Sequence, residues 1–426
     1  MLNRTQAPEF KTISKIDIAE ANHFKLKNGI PVYTVDAGSQ ELTRIEFIFK
    51  AGMFYQDSAL LATTANSLIE NGTEKYSAND ISDGIDFYGS FFETSCGQDF
   101  ASIALFSLNK HLESTLVFVE DAFKNANYPQ HEVETYLTNK KQKFLVNSQK
   151  VDAVARRIFS ELLFGKTHPY GLEVKVEDHD KVKREEILNF YKKHYHYANC
   201  TIIAAGKLPE NLEEILNKHL GEEKWGSGSA ITKNHVDAMP AKQREHYVEK
   251  ADAVQSAIRI GRRLFNRTHE DYFKFQVLNT ILGGYFGSRL MANIREDKGY
   301  TYGIGSGLAS LVHEGYFFIS TEVGSDVTKD ALKEIYSEIE KLQTDLVSDE
   351  ELETVRNYVL GQFLRSVEGP LALADKFRGV WEYDLGYDYY YRYFEAVKAV
   401  NPREIRDLAN KYLKKADLIE LVVGKK

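Results

Sequence analysis

Two segments separated by a fixed interval constrain this chain more than any other feature. Glu186-Ile187 leads through an aromatic-rich helical pattern to the strand-like Thr201-Ile-Ile-Ala-Ala-Gly206-Lys207. Glu404-Ile405 leads the same way to Leu418-Ile-Glu-Leu-Val-Val-Gly424-Lys425. Ile187 to Gly206 and Ile405 to Gly424 are both 19 residues, so the offset is 218 throughout. In a chain of 426 residues, such a repeat predicts two copies of one domain, each of about 200 residues.

Each half opens with strand-like alternation. Gly29–Val35, Arg44–Phe49 and Phe100–Phe106 read as strands in the first, and Ala257–Ile260, Tyr302–Gly305 and Gly315–Thr321 in the second. Helical periodicity follows at 58–70, 77–88, 109–126, 130–163 and 184–195, then at 270–282, 287–298, 326–343, 348–366 and 402–413. Strand pairs interrupted by helix clusters predict an α+β fold, each domain a mostly antiparallel sheet packed with helices. Residues 221–242 are polar and rich in small residues, a linker composition. The expected units are therefore 1–220 and 249–426, with a linker at 221–248.

Composition narrows the function. A net charge of -8 disfavours non-specific nucleic-acid or anionic-membrane binding. No apolar run approaches the roughly 20 residues of a membrane span. Met1–Phe10 has no apolar leader core, which predicts a cytoplasmic chain if Met1 is the native start. Two cysteines, Cys96 and Cys200, cannot build a disulfide framework and read as packed thiols.

The helical stretch Leu61–Thr73 places Thr63, Asn66 and Ser67 at i, i+3 and i+4, a spacing that brings three polar side chains toward one point. An inverted zinc-peptidase motif, H-x-x-E-H, would fill those positions with His, Glu and His. Leu61–Thr73 is similar to L-A-H-F-L-E-H-M-L-F-K-G-T with its ligands replaced. Leu163-Phe164-Gly165, followed by His168-Pro-Tyr-Gly171, is similar to F-G…H-P-Y-G. Gly283-Gly284, Ser288-Arg-Leu290 and Ile294-Arg-Glu296 through Tyr302 are similar to G-G…S-R-L…I-R-E…G-x-x-Y. In this order, from about Phe24 to Val423, these segments resemble the pitrilysin/insulinase family of inverted-zinc-motif metallopeptidases, in their processing-peptidase-like form.

The resemblance implies two similar α+β domains, with two subunits closing like a clam shell around a chamber. It maps an arginine–tyrosine pair, which meets zinc held by the other subunit, onto Arg295 and Tyr302. It maps the third zinc ligand onto Lys143 or a close neighbour, and the edge strand that pairs with substrate onto Glu93 and Thr94. The paired glycines Gly283 and Gly284 fall in the expected chamber wall. Thr63, Asn66, Ser67 and Lys143 offer no ligand set for zinc, which needs neutral His or carboxylate. No cofactor is expected in this chain, and zinc is expected in its partner.

Simpler readings stand beside these. Arg295 sits near a helix end closed by Lys298 and Gly299, where cations and glycine are favoured for structural reasons alone. Gly283–Ser288 lacks the Lys-Ser/Thr ending of a phosphate-binding loop. His194 and His196 read as capping or surface-packing residues, and His168 as structural. The run Trp381–Tyr393 carries so many phenols that some are expected at a chamber wall or subunit interface. The leading expectation is a non-zinc subunit of a heterodimeric metallopeptidase, inactive alone, with Arg295 and Tyr302 acting in trans on a peptide. Its partner would be a homologous subunit with an intact H-x-x-E-H motif, or a second copy of itself when alone. The rival reading is an inactive scaffold or peptide-binding subunit of a larger complex.

Overall fold

Ile45, Phe47 and Phe49 alternate with Arg44, Glu46 and Ile48 along one strand, and all six are buried. A strand buried on both faces must be central, with a layer packed on each side. In the computed structural model, which describes residue 16 and residues 18–229, 231–232 and 236–425, that strand lies inside a six-stranded sheet. Met1–Phe10, from which the cytoplasmic expectation came, is outside the described residues.

The first half runs β1 (Asn22–Lys25), β2 (Pro31–Asp36), β3 (Leu42–Phe49), α1 (Leu61–Ser67), α2 (Ala78–Asp86), β4 (Phe91–Cys96), β5 (Ala101–Leu108), α3 (Leu112–Asn125), α4 (Gln130–Asn147), α5 (Val151–Phe164), α6 (Arg184–His194), β6 (Cys200–Gly206) and α7 (Leu212–Leu216). The second runs β7 (Glu245–Glu249), β8 (Gln255–Leu264), α8 (Tyr272–Asn279), β9 (Ile304–Ser310), β10 (Gly315–Gly324), α9 (Thr328–Thr344), α10 (Asp349–Arg365), α11 (Pro370–Trp381), α12 (Asp388–Ala399), α13 (Pro402–Tyr412) and β11 (Ile419–Gly424). β7 begins at Glu245, inside the expected linker 221–248.

The sheet orders are β1-β2-β6-β3-β5-β4 and β7-β11-β8-β10-β9. Without β1 they correspond strand for strand, down to one parallel pair in each, β2 with β6 and β7 with β11. The helices follow: α4 and α10 begin at Gln130 and Asp349, and α5 and α11 at Val151 and Pro370. The chain is two similar α+β domains. The glycines that announced the repeat have one steric cause. A Cβ on Gly206, at φ +136°, would lie 2.0 Å from the Leu42 carbonyl oxygen, and one on Gly424 would lie 2.4 Å from Ser256 Oγ.

Each half lends a helix to the other. α5 packs Ala155, Phe159 and Leu163 onto Ala257, Ile419, Leu421 and Val423 of the second sheet. α11 packs Ala374 and Phe377 with Val35, Ile203 and Ala205 of the first. Ion pairs fix both contacts. Arg378 of α11 bonds Glu46, Arg44 bonds Asp375 at 2.7 Å, and Arg259 bonds Asp152 of α5 at 2.8 Å.

The helix expected at 130–163 is two helices. Asn147, Ser148 and Gln149 are polar residues that compete for backbone hydrogen bonds, and the chain turns there. Lys250 Nζ, from the second half, donates to the Ser148 and Gln149 carbonyl oxygens at 3.3 and 2.8 Å, satisfying groups that the helix end leaves open. His194 and His196, expected as capping or surface-packing residues, are buried, His194 against Tyr55 and Phe190 and His196 under the 226–228 segment. Among the described residues no helix is long and apolar enough to cross a membrane.

Arg378→Met would strand the buried Glu46 carboxylate. Because Arg378 is itself partly exposed, the loss should be about 2–3 kcal/mol in urea denaturation. The Glu46→Met/Arg378→Met double variant should recover much of it, and an additive result would show that the two residues are not coupled.

Candidate functional site

α1 begins without a capping side chain at Leu60, whose φ of +73° is a left-handed value rare outside glycine. Gln56 supplies the missing acceptor: the Ala62 amide donates to its Oε1 at 3.2 Å. Leu60 is buried, so packing holds the strained entry in place.

The polar residues of α1 then divide. Thr63 and Ser67 lie half-buried on one face, whereas Asn66 is 1% exposed and turned into the core. Tyr195 OH donates to Asn66 Oδ1 at 2.9 Å, and Asn66 Nδ2 donates to the Ser102 carbonyl oxygen at 3.4 Å. The expected convergence of three side chains therefore reduces to Thr63 and Ser67, because Asn66 is consumed by structural bonds.

The cation that meets this face is Lys140. Its Nζ donates to Thr63 Oγ1 and to Tyr136 OH, each at 2.9 Å. Lys143, expected together with its close neighbours to replace the third ligand, is exposed; the neighbour Lys140, three residues earlier on α4, is the one that reaches Thr63. An ammonium group where a metal would need a carboxylate repels the cation, so the donor set does not fit zinc. The Cys96 thiol near Lys140 adds no ligand, since burial pushes its pKa up to about 12. Glu70 continues the α1 face, and burial raises it to about 7, but it lines a separate cavity of about 470 Å³. Among the described residues no group of three His, Cys, Asp or Glu is placed to hold a metal ion.

β4 is an edge strand, paired only with β5. Its side chains alternate: Phe91, Glu93 and Ser95 are exposed, while Phe92, Thr94 and Cys96 are half-buried on the other face. Glu93 and Thr94 thus lie on opposite faces of a strand whose outer backbone edge is unpaired.

In the second half the backbone is pinned and the key side chains are free. Gly299, at φ +66°, ends the helical segment Met291–Asp297. Asn293 Nδ2 ties that segment to Glu334 and Glu338 of α9 at 3.0 and 2.7 Å. Thr301 Oγ1 then donates to the Glu322 carbonyl oxygen at 2.7 Å, fixing the turn before β9. Tyr302, expected within a strand, precedes β9 and is 94% exposed. Arg295 stacks over Phe286 at 4.7 Å. Neither residue makes a side-chain hydrogen bond or ion pair among the described residues.

Tyr302 lies at a cavity of about 650 Å³ built from α5, β8 and β10, with Asp152, Arg156, Arg259 and Glu322 in its wall. Arg295 does not line it, nor does any residue of α1 or α4. Gly283 serves close packing. A Cβ there would meet Ser306 Oγ at 2.6 Å, so this glycine allows α8 and its continuation to pack on β9. It is buried and presents nothing to a chamber; Gly284, beside it, is exposed.

Residues 181–359 match the family described as Peptidase M16 inactive domain. That stretch of the chain is similar to an M16 domain. A Rickettsia felis protein named "uncharacterized zinc protease" is 24% identical over 357 residues, covering 82% of this chain and 84% of that protein. Among solved structures, a peptidase M16 inactive domain from Pseudomonas fluorescens superposes with a TM-score of 0.86 at 21% identity, covering 96% of this chain and 99% of the other. A protease from Helicobacter pylori gives the same TM-score at 16% identity, over 96% and 100%. One fold thus serves chains described as inactive and as protease, and the residues of the site must decide between them.

Lys140 was legible only as one of three nearby lysines, and Tyr195 and Gln56 carried no signal, because their roles depend on long-range contacts. Two tests follow. Thr63→His/Ser67→His/Lys140→Glu should bind about one equivalent of zinc by elemental analysis, having the three ligands a site needs. The same histidines with Lys143→Glu should bind far less; equal uptake would place the third ligand at Lys143. His194 donates from Nδ1 to the Lys50 carbonyl oxygen (2.9 Å), and burial lowers its pKa from 6.5 to about 4. It is neutral when folded and protonates on unfolding. Stability should therefore be full above about pH 6.5 and fall by about 3 kcal/mol toward pH 4. A His194→Gln variant should flatten that slope in denaturation measured across pH.

Proposed function

We propose that this chain is the non-catalytic subunit of a two-subunit zinc peptidase. A homologous partner with an intact H-x-x-E-H motif would supply zinc and general base. This chain would supply Arg295, Tyr302 and part of a peptide chamber, and the units 1–220 and 249–426, joined through 221–248, would form its two walls.

One contrast carries the reading. On α1 two of the motif's polar positions are engaged internally, Thr63 by Lys140 and Asn66 by Tyr195. Before β9, a pinned loop holds two strong donors without internal acceptors. A phenol exposed to that degree on a fixed turn gains little by itself, but it suits an acceptor delivered by another molecule. Guanidinium and phenol can each donate to a peptide carbonyl oxygen and to the oxyanion that develops from it, a preorganised electrostatic contribution. Arg295 stays protonated and serves as a donor, never as a base. Its stack on Phe286 limits its rotamers before substrate arrives. An extended peptide can add to the open edge of β4, with Glu93 on one side and Thr94 on the other.

The test is co-expression with an H-x-x-E-H subunit and a peptide-cleavage assay. Arg295→Ala and Tyr302→Phe should each lower kcat about 10²- to 10³-fold with little change in KM. Assembly with undiminished turnover in both variants would overturn the role in trans and leave a scaffold or peptide-holding subunit.

A further inference from the structure

Arg267 and Lys376 line one cavity of about 480 Å³ between α8, α10, α11 and α12. Its lining contains no carboxylate. Neither cation makes an ion pair among the described residues. Asp375, the acid adjacent to Lys376 in sequence, is exposed and bonded to Arg44 on the first sheet.

Arg267 is held rigidly. It donates from Nη1 to the Gly379 carbonyl oxygen at 2.5 Å and stacks over Tyr383 at 4.5 Å, while its Nε is buried without a partner. Lys376 Nζ lies 5.4 Å from the ring centre of Phe363 and 5.9 Å from that of Tyr390, with no hydrogen-bond acceptor. Aromatic faces can hold a single cation. They do not neutralise two like charges in a half-buried cavity, where burial and the neighbouring guanidinium disfavour the Lys376 ammonium. Burial, followed by the Arg267 charge, holds Lys376 below the usual lysine range. The aromatic run that the sequence singled out supplies the rest of the wall, Tyr389, Tyr390 and Tyr393.

We propose that this cavity binds an organic anion, one carboxylate or phosphate group carried on an aromatic or acyl body. The anionic group would sit between Arg267 and Lys376, and the body would lie against Phe363 and the α12 tyrosines. Such a ligand removes the repulsion and adds apolar contact at the same time. The cavity shares no lining residue with that at Tyr302, so this site stands whether or not the chain assists peptide cleavage.

Isothermal titration of the full chain with 3-phenylpropionate, 3-phenylpropionamide and inorganic phosphate tests it. The acid should bind saturably and at least about tenfold more tightly than the amide, with phosphate weaker than the acid. Lys376→Met should weaken the acid about tenfold, and Lys376→Arg, which keeps the charge, should largely retain it. Absence of saturable binding by the acid, equal binding of acid and amide, or no effect of Lys376→Met would each overturn the proposal. A second arm compares the tripeptide Ala-Ala-Phe with its C-terminal amide. Preference for the free acid there assigns the anion to a peptide terminus; preference only among the small probes assigns it to a free small molecule.

Discussion

Both sheets depend on a helix they do not encode. α1, α3 and α6 bury one face of the first sheet, and its other face would be open without α11 from the second half. α5 covers the second sheet in return. A sheet with a bare apolar face is not independently stable, so neither half is complete without the other. The polar links across these contacts are oppositely charged. Glu46 lies across from Ile203 and Arg259 across from Leu421, equivalent places in the repeat. The first strand presents an acid to Arg378, and the second presents a base to Asp152.

That exchange explains how the repeat could be read while its consequence could not. Gly206 and Gly424 declare themselves because a close backbone approach admits no side chain. Strand alternation and helix periodicity are likewise local, and they located β3, β5, α3, α10 and α13 within a few residues. The break between α4 and α5 was missed because its anchor, Lys250, lies about a hundred positions away. The aromatic run stands out by composition; in the fold it links the end of α11 to the start of α12, and two of its phenols meet backbone acceptors: Tyr383 OH donates to the Ser310 carbonyl oxygen and Tyr390 OH to that of Lys376, each at 2.7 Å.

The ligand-free face of α1 had a sharper limit. Loss of the zinc residues was visible in Thr63, Asn66 and Ser67, but what replaced the metal was not. Three lysines within Lys140–Lys143 differ in direction by helical phase alone, and the sequence cannot select among them. Lys140 Nζ at 2.9 Å from Thr63 makes the replacement specific. The face is closed by a hydrogen bond from an ammonium group, and Asn66 has become part of the core through Tyr195.

Placing the two polar sites side by side gives a direction to the chemistry. A buried or half-buried donor is stable where an acceptor meets it, and Lys140 on Thr63 and Tyr195 on Asn66 follow that rule. Arg295 and the exposed Tyr302 meet no side-chain acceptor among the described residues, while Asn293 and Thr301 fix the backbone beside them. Rigid backbone beneath unpartnered donors is the arrangement that electrostatic stabilisation of an incoming carbonyl requires, since the loop need not reorganise when charge appears. The inference therefore rests on the pairing of a satisfied face with an unsatisfied one. The fold alone, shared by chains described as inactive and as protease, would not have supplied it.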